Sequence, residues 1–537
     1  MLLKKIARVI LLTLLILLVT GIALLFLFKN RINAKVGKLL VEKIETATSG
    51  KYALSAAAPA IGLLDGSARF HDVTFIPTEK ADTSDALYSV VVENIVISGI
   101  SFRQLLLHNR LIAGRLEADH LLVIIRQAKH RRDKDSLQKD SARRPGISSI
   151  AFRDVRLQNV AIKVMANNRD ELFYSEHGDV AMNGFLIDST LKNTGQLFKA
   201  DSFRLMMGTF SYTMKNDLYT LRGKNVRSSY TDAFLQVDSV ELVPSYSKAD
   251  FAKEAGQQIS RLNLFAKGAG LRNFDVKAFL EWNLLVADKL KITGLSASIY
   301  RDMNIPLAKI SRPSLQKIIS EFPFRMSIDT AELLNGRISY EELAEGREKT
   351  AKVFVSGMDG LITGLSTEET GKKKKHIQFS SKGLLFGKGK MYLYCDFPMN
   401  DLSEHFLCTG FVEQMDAQLF NAYTEHALNL MITEGKLDSM TFSFSANHVA
   451  SDGKLKTEYH GLKVALPGEQ NLKAVLLKGL ANGLIRDNNP DNRGKEIEGT
   501  IHFVRNPYRY FPYYIFRSIM SGLPSSLGVP VTVAHDQ

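Results

Sequence analysis

The residues that could do chemistry in this chain are few and scattered. Twelve histidines occur singly, and no HExxH pair places two of them on one helix face, so a zinc protease site is excluded. The run Gly383-Leu-Leu-Phe-Gly-Lys-Gly-Lys390 superficially has the make-up of a phosphate loop. Its glycine spacing departs from GxxxxGK[ST], and Met391 stands where a magnesium-holding hydroxyl belongs. It reads as a glycine-rich strand. Residues 487–498 put oxygen-bearing side chains at positions 1, 3, 5 and 12 of a calcium loop, but Asn492 occupies the glycine position. A turn rich in Asn, Pro and Asp is the plainer reading. No GxSxG nucleophile elbow is present. No catalytic residue, cofactor site or metal site is therefore expected, and an enzyme is the least supported reading.

Charge offers more. Lys and Arg number 69 against 56 Asp and Glu, a formal net charge of +13, which suits anionic surfaces such as phospholipid headgroups or nucleic acid. Residues 129–144 hold seven basic side chains and three aspartates without an apolar period, and Lys372, Lys373, Lys374 and Lys375 are consecutive. Each run reads either as a solvated loop or as a contact with anionic headgroups. Neither is interleaved with stacking aromatics, so nucleic acid is not the expected partner. Residues 508–522 combine six aromatics with Arg509 and Arg517, Pro512 near the start and Gly522 at the stop. This is either an interfacial amphipathic helix, with both arginines at headgroup level, or a helix that caps the last edge of a sheet.

The elements that must carry these side chains follow from hydropathy. Residues 9–28, opening at Val9 and ending at Phe28, are twenty positions without a charge. At about 1.5 Å per residue they cover the roughly 30 Å of a bilayer core, which predicts a single-pass anchor that is not cleaved. No second stretch of spanning length follows, so everything from about residue 29 onward is expected on one side of the membrane. Residues 33–48 continue with helical spacing up to Gly50. Beyond that the period becomes two. Residues 439–446 alternate strictly, with Met440, Phe442, Phe444 and Ala446 on one face. Residues 88–97, 390–395 and 500–504 read the same way, and helices are expected at 245–258, 313–321 and 416–427.

The chain also repeats itself. Residues 109–121 match residues 283–295 at an offset of 174: Asn109 with Asn283, Leu111 with Leu285, Ala113 with Ala287, Leu116 with Leu290, Leu121 with Leu295. Each copy leads through a polar or proline-containing stretch to a second matched unit, Leu157-Gln-Asn-Val-Ala-Ile162 and Leu333-Leu-Asn-Gly-Arg-Ile338. A duplicated sheet unit accounts for the order and spacing, and repeats stacked edge to edge build one long sheet. At fifteen to twenty residues per strand and turn, about 25–33 strands spaced about 4.8 Å apart would extend on the order of 120–160 Å. The expected fold is mainly β: an N-terminal transmembrane helix, then an elongated, curved antiparallel sheet with a few short helices. The expected divisions are 1–28 (stub and anchor), 29–50 (helical extension), 51–236 and 237–395 (two sheet repeats) and 396–537 (C-terminal region). From pattern alone the apolar face could equally be buried in a sandwich. Cys395 and Cys408 are close enough in sequence to pair, and geometry must decide.

The sequence resembles the AsmA-like family of bacterial envelope proteins. The residues that carry the likeness are the anchor, then Gly50-Lys-Tyr-Ala-Leu-Ser, Leu63-Leu-Asp-Gly-Ser-Ala-Arg-Phe-His-Asp-Val-Thr-Phe, and Leu105-Leu-Leu-His-Asn-Arg-Leu-Ile-Ala-Gly-Arg-Leu-Glu-Ala-Asp-His-Leu. Toward the C-terminus they are Gly435-Lys-Leu-Asp-Ser-Met-Thr-Phe and Tyr459-His-Gly-Leu-Lys-Val. The resemblance implies an inner-membrane anchor, a periplasmic body, and a hydrophobic β-groove for phospholipid acyl chains that supports outer-membrane lipid homeostasis. It also allows an outer-membrane or periplasmic protein partner. Groove candidates are Met440, Phe442, Phe444, Leu290, Ile292 and Leu116. The competing reading is a non-enzymatic structural or assembly factor that tethers envelope components.

Overall fold

The computed structural model describes residues 51–529 apart from 58–59, 63–65, 82–85, 109, 128–148, 167–170, 189–190, 192–197, 215–216, 283, 323–324, 368–375, 400 and 466–484. The expected anchor at 9–28, the extension at 33–48 and the basic runs at 129–144 and 372–375 lie outside the described residues. Among the described residues no helix is long and apolar enough to cross a membrane. The fold is mainly β. The chain divides into two compact units, Met1–Asp238 with Arg272–Leu284, and Ser239–Leu271 with Leu285–Gln537.

In the first unit the long strands Ser67–Pro77, Leu87–Ser98, Arg110–Arg126, Ser149–Met165, Glu171–Asp188, Ser202–Thr213 and Tyr219–Ser229 pair in sequence order. Alternation builds its core. In Arg110–Arg126 the buried positions are Leu111 and Ala113, then Leu116 and Ala118, then Leu121, Val123 and Ile125. The phase slips by one twice, and His120 at the second slip takes a left-handed φ of 52°. An extra residue at each slip keeps the apolar side chains on one face of a strand too long for uninterrupted pleating.

The second unit begins with Arg261–Ala266 and Ser296–Asp302 in antiparallel register. It then runs through Arg325–Leu343, Ala351–Ser366, His376–Leu385, Gly389–Pro398, Phe406–Val412, Met431–Ala446, Ala450–Ala465 and Glu498–Val504. Each of these pairs antiparallel with the next. The unit continues unbroken through residue 395, where a boundary was expected, because Gly389–Pro398 spans that position.

The antiparallel expectation needs one correction, the same in both units. Arg110–Arg126 pairs parallel with Ser149–Met165, and Ser296–Asp302 pairs parallel with Arg325–Leu343. A parallel step requires a long crossover connection. In the second unit the described part of that connection is residues 303–322, which include Pro306, Pro313 and the helix Leu315–Ser320. The second matched units are a duplicated bulge. Asn159 and Asn335 both adopt left-handed backbone, φ 50° and 52°, beside register shifts in the ladder. Each donates its backbone N–H to an aspartate on the next strand, Asn159 to Asp179 at 3.2 Å and Asn335 to Asp359 at 3.0 Å. Asparagine suits this position because it tolerates left-handed backbone better than other side chains do.

The expected helices are present, the first two shorter than expected and the third over nearly its expected span. They occur at Phe251–Glu254, at Leu315–Ser320, and as a 3-10 turn Ala417–Phe420 running into Asn421–Leu428. Helices at Phe102–His108 and Val276–Trp282 were not anticipated. The glycine-rich run at 383–390 is strand at both ends, within His376–Leu385 and Gly389–Pro398, with a tight turn at 386–388 between them. In the calcium-like run, the Asp491 carboxylate accepts the backbone N–H groups of Arg493 and Lys495, both at 2.9 Å, and is committed to its own turn.

Candidate functional site

Strict alternation in the second unit turns one face of the sheet apolar. Ile377, Phe397, Phe406, Val412, Met440, Phe442, Phe444 and Leu455 are all buried on it. Glycine makes room where rings cross strands: a Cβ at Gly410 would sit 2.1 Å from the Phe442 ring. Cys395 and Cys408 face each other across Gly389–Pro398 and Phe406–Val412 and form a disulfide, with both residues buried.

The C-terminal helix Phe511–Ser526 lies on this face. Pro512 occupies its first turn, where no N–H is needed. Tyr514, Ser518, Gly522 and Ser526 recur every fourth residue and are buried toward the sheet. The approach is close: a Cβ at Gly499 would lie 2.2 Å from the Gly522 carbonyl oxygen. The Ser451 hydroxyl donates to the Ser518 hydroxyl at 2.8 Å, and that one donates to the Tyr514 carbonyl at 2.8 Å. The helix also closes the edge of the last strand. Thr500 N–H donates to the Ser525 hydroxyl at 2.8 Å, and His502 N–H to the Ser521 hydroxyl at 3.2 Å. Of the two readings left open for this segment, edge capping is what the contacts show. Its start is pinned by an aromatic cluster in which Phe406 lies 5.2 Å from Phe511, 5.9 Å from Tyr514 and 6.2 Å from Phe444, between ring centroids.

Beyond that cluster, helix and sheet part. They enclose an apolar cavity of about 1200 Å³, lined from the sheet by Val355, Met391, Val412 and Phe442 and from the helix by Ile519 and Leu523. That exceeds the roughly 300–1,000 Å³ of ordinary ligand pockets. Polar groups are confined to a few positions, among them Arg517, Thr424 and His502.

The structure therefore separates the groove candidates. Met440 and Phe442 line the cavity. Phe444, two residues on and equally inward, is packed in the aromatic cluster and is 2% exposed. Leu290 and Ile292 are half-buried on the strand Leu284–Thr293 and are absent from the lining. Leu116 is wholly buried in the core of the first unit, opposite Val155. Arg509 and Arg517 converge on the ring of Tyr513, with guanidinium carbons 5.4 and 5.8 Å from its centroid. Sequence reading missed Val353 and Val355, whose strand alternates weakly. It missed the helix row Ile515, Ile519 and Leu523, whose spacing of four was legible but whose partner was not. It also missed Arg301, which nothing in its local pattern singles out. No family model matches the chain, and no curated protein matches it.

Proposed function

We propose that the chain is a membrane-anchored, AsmA-like envelope protein that binds phospholipid, holding acyl chains between the inner sheet face and the C-terminal helix. The observation that carries this reading is the apolar cavity of about 1200 Å³. An interior that large, with few polar groups in its lining, offers little to order water, and apolar chains would supply the missing packing partners. The binding is passive and non-catalytic: chains slide along the apolar face while headgroups stay hydrated at its mouth. Residues 9–28 are the proposed single-pass anchor in a bacterial inner membrane, with the body in the periplasm. The buried Cys395–Cys408 bridge fits that oxidising compartment. The elongated open groove expected from the resemblance belongs to the same proposal, with this cavity as its C-terminal end.

The test is site-specific photocrosslinking in cells with the full-length chain. A photoreactive phenylalanine at Leu393, which faces the cavity, is compared with one at Tyr392 or Tyr394, which point outward and are 44% and 39% exposed. Phospholipid adducts at Leu393 and none at the tyrosines are the expected result. Equal labelling at the inward and outward positions, or no lipid adduct at Leu393, would refute the reading.

A further inference from the structure

Three guanidinium groups surround one aromatic ring at the start of the C-terminal helix. Arg301, Arg509 and Arg517 place their guanidinium carbons 5.5, 5.4 and 5.8 Å from the centroid of Tyr513. Cation–π contact draws each cation to the ring. Arg301 is 4% exposed. Its Nη2 donates to the Ser260 hydroxyl at 2.9 Å, while its buried Nη1 has no hydrogen-bond partner. Arg509 donates from Nη1 to Gln258 Oε1, and its buried Nε has no partner. Gln258 is held in turn by its own bond to the Ile305 carbonyl at 2.8 Å, so it is a fixed wall.

Glu342 accepts from the Tyr340 hydroxyl at 2.5 Å and from the Tyr423 hydroxyl at 3.3 Å. Burial first, then the neighbouring charge of Arg301, pushes the Arg509 guanidinium below its ordinary range. The charge of the Glu342 carboxylate reaches Arg509 and partly offsets that lowering, but its hydrogen bonds go to tyrosines. A buried arginine with an idle donor, beside two more of the same sign, is costly unless an anion completes it. The guanidinium fork matches phosphate oxygens in pairs. Arg517 and Tyr423 also line the apolar cavity, so an anion held here sits at its wall.

We propose that Arg301, Arg509 and Arg517 form a binding site for the phosphate of a lipid headgroup whose acyl chains occupy the adjoining cavity. This rests on the acyl-chain reading of that cavity and adds the residues that hold the phosphate. Arg301 forms the floor. Arg509 and Arg517, half-buried, form the sides. Tyr513 holds the three cations in register without neutralising them.

The test uses the delipidated full-length chain in a neutral detergent, with binding read by native mass spectrometry. Three probes are compared: dioctanoyl phosphatidylglycerol, dioctanoylglycerol with the same chains and no phosphate, and inorganic phosphate. The wild type should prefer the phospholipid over the diacylglycerol by about tenfold or more, the usual reach of charge-assisted hydrogen bonds. Arg509→Gln and Arg517→Gln should each remove most of that preference, and Arg301→Gln all of it. If Arg301→Gln fails to fold, the two half-buried positions carry the test. Diacylglycerol binding with no phospholipid preference in the wild type overturns the headgroup site and leaves the acyl cavity standing. So does a preference that survives in both folded half-buried variants. Arginine-dependent binding of inorganic phosphate with neither lipid retained overturns the lipid assignment altogether and leaves a free-phosphate site.

Discussion

The Ser525 hydroxyl accepts the backbone N–H of Thr500 at 2.8 Å, so a helix side chain takes the place of the next strand in the ladder. Ser521 does the same for His502 at 3.2 Å. An open edge would present those donors to water or to another chain. Ser521→Ala with Ser525→Ala is expected to destabilise the protein by about 1 kcal/mol per lost bond. Hydrogen exchange at Thr500 and His502 should accelerate, while exchange at the paired amides of Ala450–Ala465 stays slow. Unaltered protection at Thr500 and His502 would mean the serines do not close the edge.

The Cys395–Cys408 bridge joins directly opposed residues on neighbouring strands, with Cα atoms 4.2 Å apart and both side chains almost fully buried. Reductant should therefore reach it only when the surrounding sheet opens. Alkylation after dithiothreitol treatment is expected to be negligible in native buffer and complete in denaturant. Cys395→Ala with Cys408→Ala should cost about 2–4 kcal/mol by the loop-closure account. Rapid native-state reduction would show that this part of the sheet is not closed over the bridge.

Phe442 and Phe444 look interchangeable in sequence, yet the structure gives them different work. Phe444 packs on Phe406 in the aromatic cluster, whereas Phe442 lines the cavity. Phe444→Asp is expected to disrupt the core by burying a charge without a partner. It is thus a poor probe of lipid binding. Leu523→Asp places the charge on the helix wall of the cavity at a half-buried position. That variant should keep its β circular dichroism and lose co-purifying lipid by an order of magnitude. A folded Leu523→Asp protein with wild-type lipid content would count against acyl chains beside the helix.

The contrast between those two phenylalanines shows how far sequence could be read. Period-two alternation located the strands at 439–446 and 500–504, because each has one wet face and one buried face. The repeat marked two equivalent bulges, at Asn159 and Asn335, but the antiparallel expectation missed the parallel steps beside them. Alternation says which side chains point inward and nothing about what meets them. Whether Phe442 meets a ring or a void depends on where a helix some seventy residues later comes to rest. That is fixed by Gly499, Gly522 and the serines between sheet and helix. The arginine cluster was half legible. Arg509 and Arg517 stood out among aromatics, but Arg301 reaches them only through the tertiary fold.

A last expectation concerns acid. Glu404 is 8% exposed, and its carboxylate receives Lys317 Nζ at 2.7 Å and Arg505 Nη1 at 3.5 Å. Burial pushes its carboxyl upward, but the hydrogen bonds from Lys317 and Ser314 outweigh burial and hold it below the ordinary glutamate value. Glu341 follows the same pattern, with Lys248 and Lys352 overcoming burial. A carboxyl depressed in the folded state stabilises the protein fully above its unfolded pKa, near 4.3 for glutamate, and loses that contribution as pH falls through the lower folded value. Glu404→Gln should therefore be clearly less stable than wild type at neutral pH, since one partner of a buried pair is gone. The two proteins should converge as the pH falls below about 4, the window set by that depression. Urea midpoints measured from neutral pH down to about pH 3 decide the matter. A gap that stays constant across that range would show that Glu404 titrates alike in the folded and unfolded chains and that its ion pairs do not stabilise the fold.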